Sequence, residues 1–342
     1  MVKTLTYLEA IENLKLPGLD RNLFLSREWV DVLYKTYRLK LFVKYIERNG
    51  EVVSYVIYSA VKNFLEWKIC VLSYCDYCDS HVQTREDWQA IFDSIREEYP
   101  KYRVAIRNLR DPLVREIPEL KVLSKERYHF LDTRGSVEEL WRRTHDSFRS
   151  AVKQAQKTGI TIKRAGKEDL PKFFKMHLRL RKHKYRLFPQ PYRFFDNIWE
   201  EYMKNGKGVL LGAYAPDGRM VGANVYLICG KTMYYKFNTS DIRELKLRTN
   251  NLLFWEGIRL AKELGLEGLD LGSSGYHQDG LILFKNHTGA QMQDITHLGY
   301  APSDYKFSQK IILGTFTRFC TLPFMPSFVI KMGSDIIYPY LA

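Results

Sequence analysis

Apolar and polar residues follow the same order along two separate stretches of this chain. In the first, the apolar runs "LFVKYIE" and "VVSYVIYSA" read as strands and flank Arg48-Asn49-Gly50, a hairpin turn signal. A third strand is predicted over "EWKICVLSY". The period then lengthens in "REDWQAIFDSIREEYP", which puts Trp88, Ile91, Phe92 and Ile95 on one face of a helix, and "YRVAIRNL" returns to a strand. In the second stretch, "GVLLGAYA" and "RMVGANVYLIC" flank Pro216-Asp217-Gly218, and "TMYYKFNTS" follows the Gly230-Lys231 turn. The helix "NNLLFWEGIRLAKELG" comes next, closed by Gly265. The strand "LEGLDLGS", the short helix "GLILFKNHTG" and the strand "AQMQDITHLGYA" complete it. Three antiparallel strands, a helix and a parallel return strand, met twice, predict an α+β fold with mixed sheets and an internal duplication.

Between the two stretches the pattern is helical. Ser136 to Glu139 spells a capping box, so a helix starts at about Val137. Leu140, Trp141, Phe148, Ala151, Val152 and Ala155 mark its apolar side; Arg142, Arg149, Lys153 and Lys157 fall on another, and Gly159 ends it. A second helix is expected from about Glu168 to Tyr185 and a third over "YRFFDNIWEEYMKNG".

Charge sharpens this picture. The 342 residues carry a net charge of +14, and Arg134–Arg193 alone holds 17 Lys/Arg against five Asp/Glu. A localised basic field attracts nucleic acid, phosphorylated carriers or an anionic membrane face. A hydrophobic fraction of 45% excludes wholesale disorder. "MVKTLTYLEA" has no apolar leader core, no run of 18 apolar residues occurs, and the five cysteines are scattered, which together predict a cytoplasmic protein. After Tyr305, "IILGTFTRFCTLPFMPSFVI" reads either as a segment packed on the body or as an interfacial membrane contact aided by Lys306, Lys310 and Lys331.

Two stretches carry candidate chemistry. In "LKLRTNNLLFWEG", Asn250 or Asn251 opens a helix whose free N–H groups, with Arg248 beside them, make an anion site; a plain Asn N-cap is the alternative. In "DLGSSGYHQDGLILFKNHTGA", Asp270 ends a strand, Tyr276 and His277 follow in a loop, and Lys285 sits on a short helix. A lysine there holds a phosphate or a developing oxyanion, unless it is an ordinary surface lysine. Neither nucleotide-binding glycine pattern is present. Cys75 and Cys78 have no second pair, and His177 and His183 are six apart, so no metal is expected.

"FRSAVKQAQKTGITIKRAGKEDLPKFFKMH", "KFNTSDIRELKLRTNNLLFWEGIRLAKELGLEGLDLG" and "GLILFKNHTGAQ" together resemble the FemAB-like peptidyltransferases and related acetyltransferase-like proteins of polysaccharide gene clusters. "SYCDYCDS" is similar to that family's Ser-x-x-Asp-Tyr loop. Thr249 stands where the family often has Pro, Thr288 where it has an aromatic, and no charged helical arm is inserted. The resemblance implies two tandem GNAT-like domains: residues 1–133, degenerate; residues 134–305, with the basic helices; and an apolar basic tail over 306–342. It implies transfer of an acyl or aminoacyl group, from acyl-CoA or aminoacyl-tRNA, to an amine of a cell-envelope precursor or polysaccharide amino sugar.

On that basis Lys285 takes the donor or oxyanion role, and Arg248, Asn250 and Asn251 hold donor phosphates. Asp76, Tyr77, Tyr235 and Asn238 face the acceptor, with Tyr276 and His277 nearby. Arg149 and Lys153 hold a phosphate of the acceptor, a phosphorylated small molecule or lipid-linked amine. tRNA and a peripheral membrane surface are the further partners expected. An inactive relative that binds phosphorylated carriers or nucleic acid, or a membrane-proximal scaffold, is the alternative.

Overall fold

The computed structural model describes residues 1–62, 67–303, 317, 321–322 and 325–338. Most of the tail expected over 306–342, with Lys306 and Lys310, lies outside the described residues. The chain divides into two compact units, one built from Met1–Glu126 and the stretch beginning at Asp294, the other from Arg127–Gln293 with a C-terminal helix.

The first unit runs β1 (Val2–Thr6), α1 (Tyr7–Asn13), α2 (Arg27–Tyr37), β2 (Phe42–Arg48), β3 (Glu51–Lys62), β4 (Trp67–Val71), α3 (Arg85–Glu98) and β5 (Arg103–Asn108). Strands β1 to β4 pair antiparallel in sequence order, and β5 returns parallel to β4. The expected face of α3 is the buried one, with Trp88, Ile91, Phe92 and Ile95 each no more than 1% exposed. The strand β6 (Lys121–Asp132) carries the chain onward.

The second unit repeats the order. It comprises α4 (Val137–Arg143), α5 (Asp146–Gln156), β7 (Thr161–Arg164), α6 (Leu170–Leu180), α7 (Tyr192–Ile198), β8 (Gly208–Tyr214), β9 (Met220–Cys229), β10 (Thr232–Ser240), α8 (Thr249–Glu263), β11 (Gly268–Gly275) and α9 (Asp279–His287). Strands β7 to β10 pair antiparallel and β11 returns parallel to β10. The last strand, β12 (Gln291–Tyr300), pairs antiparallel with β5 inside the first unit. The C-terminal helix is α10 (Ser327–Ile337). The duplicated α+β order read from periodicity is therefore the observed one.

The single basic helix expected from Val137 to Gly159 is two helices. α4 stops at Arg143, where Thr144 Oγ1 donates to the Trp141 carbonyl. α5 restarts after His145, whose Nδ1 accepts from the Ser147 N–H. Each hydroxyl or ring nitrogen offers the backbone a partner that competes with continuing the helix. Arg149 closes the joint, donating to the carbonyls of Trp141 (3.2 Å), Arg142 (3.3 Å) and Thr144 and pairing with Asp146. Arg142 is thus not on the helix that carries Arg149, Lys153 and Lys157.

The core of the second unit lies where α5 and α8 cover β8 to β11, with Phe148, Val152, Ala155, Leu252, Leu253, Ile258 and Ala261 all buried. Gly257 of α8 makes this approach possible, because a Cβ there would fall inside the hydroxyl of the fully buried Tyr226 on β9. Helix propensity favours Ala over Gly by about 1 kcal/mol, whereas overpacking a core costs about 1–3 kcal/mol. Gly257→Ala is therefore expected to destabilise by about 1–2 kcal/mol, read as a lower urea midpoint; an equal or higher midpoint would show that Tyr226 has room to move.

Candidate functional site

The second unit is opened by an incomplete ladder. β10 and β11 pair in parallel over Thr232–Tyr234 and Gly268–Asp270, and among the described residues the pairing ends there although both strands run on. A register irregularity between Tyr235 and Phe237 bends β10 at the same level. Beyond the split, the Gly272 and Ser273 carbonyls of β11 both accept from Lys285 Nζ, each at 3.0 Å. Successive carbonyls of a regular strand point to opposite sides. Gly272, at φ 66°, breaks that alternation and lets two neighbours reach one ammonium. Lys285 is 2% exposed, so the surface-lysine reading is overturned.

Around Lys285 lies a buried polar group. Asp270 accepts from Tyr128 Oη at 2.9 Å and from the Gly272 N–H at 2.7 Å. His129 Nε2 is 2.9 Å from Asn286 Oδ1. Burial, with the Lys285 charge beside it, pulls His129 down to about 4.

The second feature is the start of α8. The expected Asn cap is absent: Arg248, in the left-handed region at φ 53°, is the N-cap, and no side chain caps the helix. Arg248 itself is exposed, while the buried Thr249 hydroxyl has no hydrogen-bond partner. Asn250 turns away into a polar chain in which Asn238 Nδ2 donates to Asn250 Oδ1 (3.2 Å) and Asn224 Oδ1 (2.7 Å). Asn224 in turn reaches Tyr226 Oη at 2.9 Å.

A cleft of about 450 Å³ opens at this helix start. α5 lines it with Ser147, Phe148, Ser150 and Gln154, α8 with Arg248 and Asn251, and α9 with Leu283, Phe284 and His287. Its volume is that of a cofactor site, and its walls mix an apolar floor with a few polar groups. At its mouth Ser147 Oγ is 2.8 Å from His145 Nδ1 and 3.1 Å from His287 Nδ1, and the two imidazoles stack at 4.2 Å.

The site residues expected from sequence separate accordingly. Arg248 and Asn251 line the cleft, and Asn250 and Asn238 form the polar chain behind it. Tyr235 is partly buried, edge-on to Phe254 at 5.0 Å, and burial pushes its phenol well above the usual range. Arg149, expected to hold an acceptor phosphate, is instead engaged in the α4–α5 joint and is not among the cleft-lining residues. Lys153 is exposed on α5. Tyr276 and His277 are exposed on the loop before α9, with the Arg127 guanidinium 4.3 Å above the Tyr276 ring. Asp76 and Tyr77 belong to the first unit, where Tyr77 is buried edge-on to Phe24. Sequence reasoning missed His145, Ser147 and His287; the run Thr144-His145-Asp146-Ser147, rich in capping residues inside a helical pattern, was the available signal. No group of three His, Cys, Asp or Glu among the described residues is placed to hold a metal.

Residues 142–278, which hold α5, the split strands and the α8 start, match the acetyltransferase (GNAT) domain family. That match lies within the second unit and gives it a GNAT-like fold. Over the whole chain the fold resembles tandem GNAT-like structures. The crystal structure of FemX superposes with a TM-score of 0.67 at 15% identity, covering 88% of this chain and 97% of that one. L-PGS from Bacillus licheniformis gives 0.55 at 11%, covering 84% and 91%. A tandem GNAT protein from the clavulanic acid biosynthesis pathway gives 0.53 at 11%, covering 90% and 100%. No curated relative matches the chain in sequence.

The buried histidine gives this GNAT unit a pH signature. His129 titrates near 6.5 when unfolded and near 4 when folded, so its contribution is intact above pH 6.5 and drains as pH falls toward 4. The full loss is at most about 3 kcal/mol. The melting temperature is expected to fall from pH 7 to pH 5, and His129→Gln to flatten that fall. A variant with the wild-type slope would assign the acid loss to other groups, such as His177, which burial pulls to about 3.

Proposed function

We propose that this protein transfers an acyl or aminoacyl group, from acyl-CoA or aminoacyl-tRNA, to an amine on a phosphorylated or lipid-linked cell-envelope precursor or polysaccharide amino sugar. The observation that carries the reading is the contrast between the two equivalent helix starts. α3 is capped by Thr84 and has Glu86 and Asp87 in its first turn. α8 is uncapped, has no acid in its first turn, and presents Arg248 and an unpartnered Thr249 hydroxyl. Positive helix ends bind anions, and acids in the first turn repel them. Donor phosphates therefore belong at α8, and the first unit is the degenerate copy. The thioester or ester then lies along the cleft, over Phe148 and Phe284.

Lys285 serves this reaction by holding the β11 edge open through its two carbonyl bonds. An uncharged side chain of similar length would leave those carbonyls buried without a donor, at about 1–3 kcal/mol. The exposed lysines 153 and 157, at the end of α5, suit the phosphates of the acceptor.

The test is ligand stabilisation. Acetyl-CoA at a hundred times its Kd stabilises a binding protein by about 2.7 kcal/mol. The melting temperature is expected to rise with acetyl-CoA or an aminoacyl-tRNA mimic, and Arg248→Ala to remove the rise while leaving the ligand-free melt unchanged. No shift with either donor would defeat the proposal. Lys285→Met is expected to lower transfer and ligand-free stability together; full transfer would remove Lys285 from the site.

One further observation favours a peripheral position on the inner face of a membrane. Phe328, Met332 and Ile336, at 63%, 58% and 63% exposure, form one stripe along α10. Lys331 lies beside the stripe, and the basic segment through Arg193 belongs to the same unit. The triple variant Phe328→Ser, Met332→Ser, Ile336→Ser is expected to stop sedimenting with phosphatidylglycerol vesicles. Unchanged sedimentation would rule out α10 as the contact.

A further inference from the structure

We propose that Ser147, His145 and His287 form the proton relay that accepts the proton released by the attacking amine. The inference rests on the amine-acceptor reading above and adds the group that makes the amine reactive. A protonated amine is no nucleophile, and its attack on a carbonyl leaves a cationic nitrogen that must lose a proton before the intermediate collapses forward.

The hydrogen-bond network assigns the tautomers. The Ser147 N–H donates to His145 Nδ1 at 3.2 Å, so that nitrogen carries no proton. Ser147 Oγ–H then donates to the same nitrogen at 2.8 Å, and Oγ accepts from His287 Nδ1–H at 3.1 Å. The His145 N–H also donates to the His287 carbonyl at 2.9 Å, which locks the start of α5 to the end of α9. The result is a directed chain, His287 to Ser147 to His145, and Ser147 and His287 are both lining residues of the cleft. His145 is exposed and exchanges its proton with water.

The step balances as follows. The amine nitrogen bonds to the acyl carbon and gives one proton to Ser147 Oγ, as Ser147 passes its own proton to His145 Nδ1. The tetrahedral intermediate collapses, the bond from carbon to the thiol sulfur or ribose oxygen breaks, and the leaving group takes a proton from solvent. The imidazolium returns its proton to water. No covalent enzyme intermediate forms, and no electrons are exchanged.

The neighbouring charges fit this role. Asp146 is paired with Arg149 on α5, and Lys285 of α9 is bonded to two β11 carbonyls, so neither takes the proton. Arg142 and Arg143 of α4 and Arg248 of α8 are cations. Burial and the adjacent His145 ring hold His287 below its ordinary value, keeping it neutral as donor to Ser147. The two rings stack at 4.2 Å.

Two measurements test the relay. The first needs no substrate: nitrogen-15 NMR of the histidine side chains at pH 7.5 is expected to show His145 unprotonated at Nδ1 and His287 protonated there, with both signals moving in Ser147→Ala. His145 protonated at Nδ1 would overturn the proposal. The second measures thiol release from acetyl-CoA with glucosamine as the probe amine. His145→Asn keeps a side-chain oxygen to cap α5 but removes the base. It is expected to lower kcat about a hundredfold or more, to leave KM for the amine within about threefold, and to abolish the acidic limb of the rate profile. Wild-type kcat with the acidic limb intact, or a change in KM and melting temperature alone, would reduce the trio to a structural clasp. Absence of amine-dependent release by the wild-type protein would count against the acceptor reading instead, with the tautomers still deciding the relay.

Discussion

The parallel ladder between β10 and β11 ends after three residue pairs, and the second unit is organised around that ending. Buried backbone groups need partners, so a strand that leaves its neighbour must find others or refill with water. Here an ammonium supplies them. Lys285 comes up from α9, is buried, and bonds the Gly272 and Ser273 carbonyls. A buried charge is costly unless it is hydrogen-bonded, so strand and lysine stabilise each other and neither is tolerable alone. This fixes α9, and through α9 the position of Phe284 and His287 on the cleft wall.

The break between α4 and α5 has the same character. A continuous helix from Val137 would carry Ser147 past α9 with its hydroxyl on a plain helical face. Ending α4 at Arg143 and restarting at Asp146 exposes carbonyls at one end and N–H groups at the other. Thr144, His145 and Arg149 satisfy them from within. The arginine that looked like a phosphate ligand is what holds the joint, and the joint is what brings His145 and Ser147 to the cleft. Positive charge along this segment thus divides into a structural part, Arg149, and an exposed part, Lys153 and Lys157.

The repeated strands β2 to β5 and β8 to β11 were legible as apolar runs bounded by turn residues, and α3 because it buries one face, with Trp88, Ile91, Phe92 and Ile95. β1 and α1 were not. β1 is exposed at most positions and shows no alternation, although Thr6 and Glu9 do form a capping box at the start of α1. The same limit applies to the site. Arg248 was found because a helix start beside an arginine is a local pattern. Lys285 was singled out on the short helix after a strand end and strengthened by resemblance, but its burial against β11 is a tertiary fact with no local signature. His145, Ser147 and His287 lie 140 residues apart at the extremes of the cluster's longest hydrogen bond, a separation no local pattern spans.

Duplication makes the asymmetry of the two units informative. In the first, the loop after β4 is tied down by its own chain: Arg107 Nη1 donates to the Cys75 carbonyl at 2.8 Å, and Asp79 Oδ1 accepts from the Leu109 and Arg110 N–H groups at 2.8 and 2.9 Å. The β4–β5 ladder extends over four pairs, and the helix that follows is capped and acidic. In the second, the ladder is shorter, the helix start is bare, and a cleft stands beside it. The two copies of one architecture thus differ in a few capping side chains and one ladder pair rather than in topology.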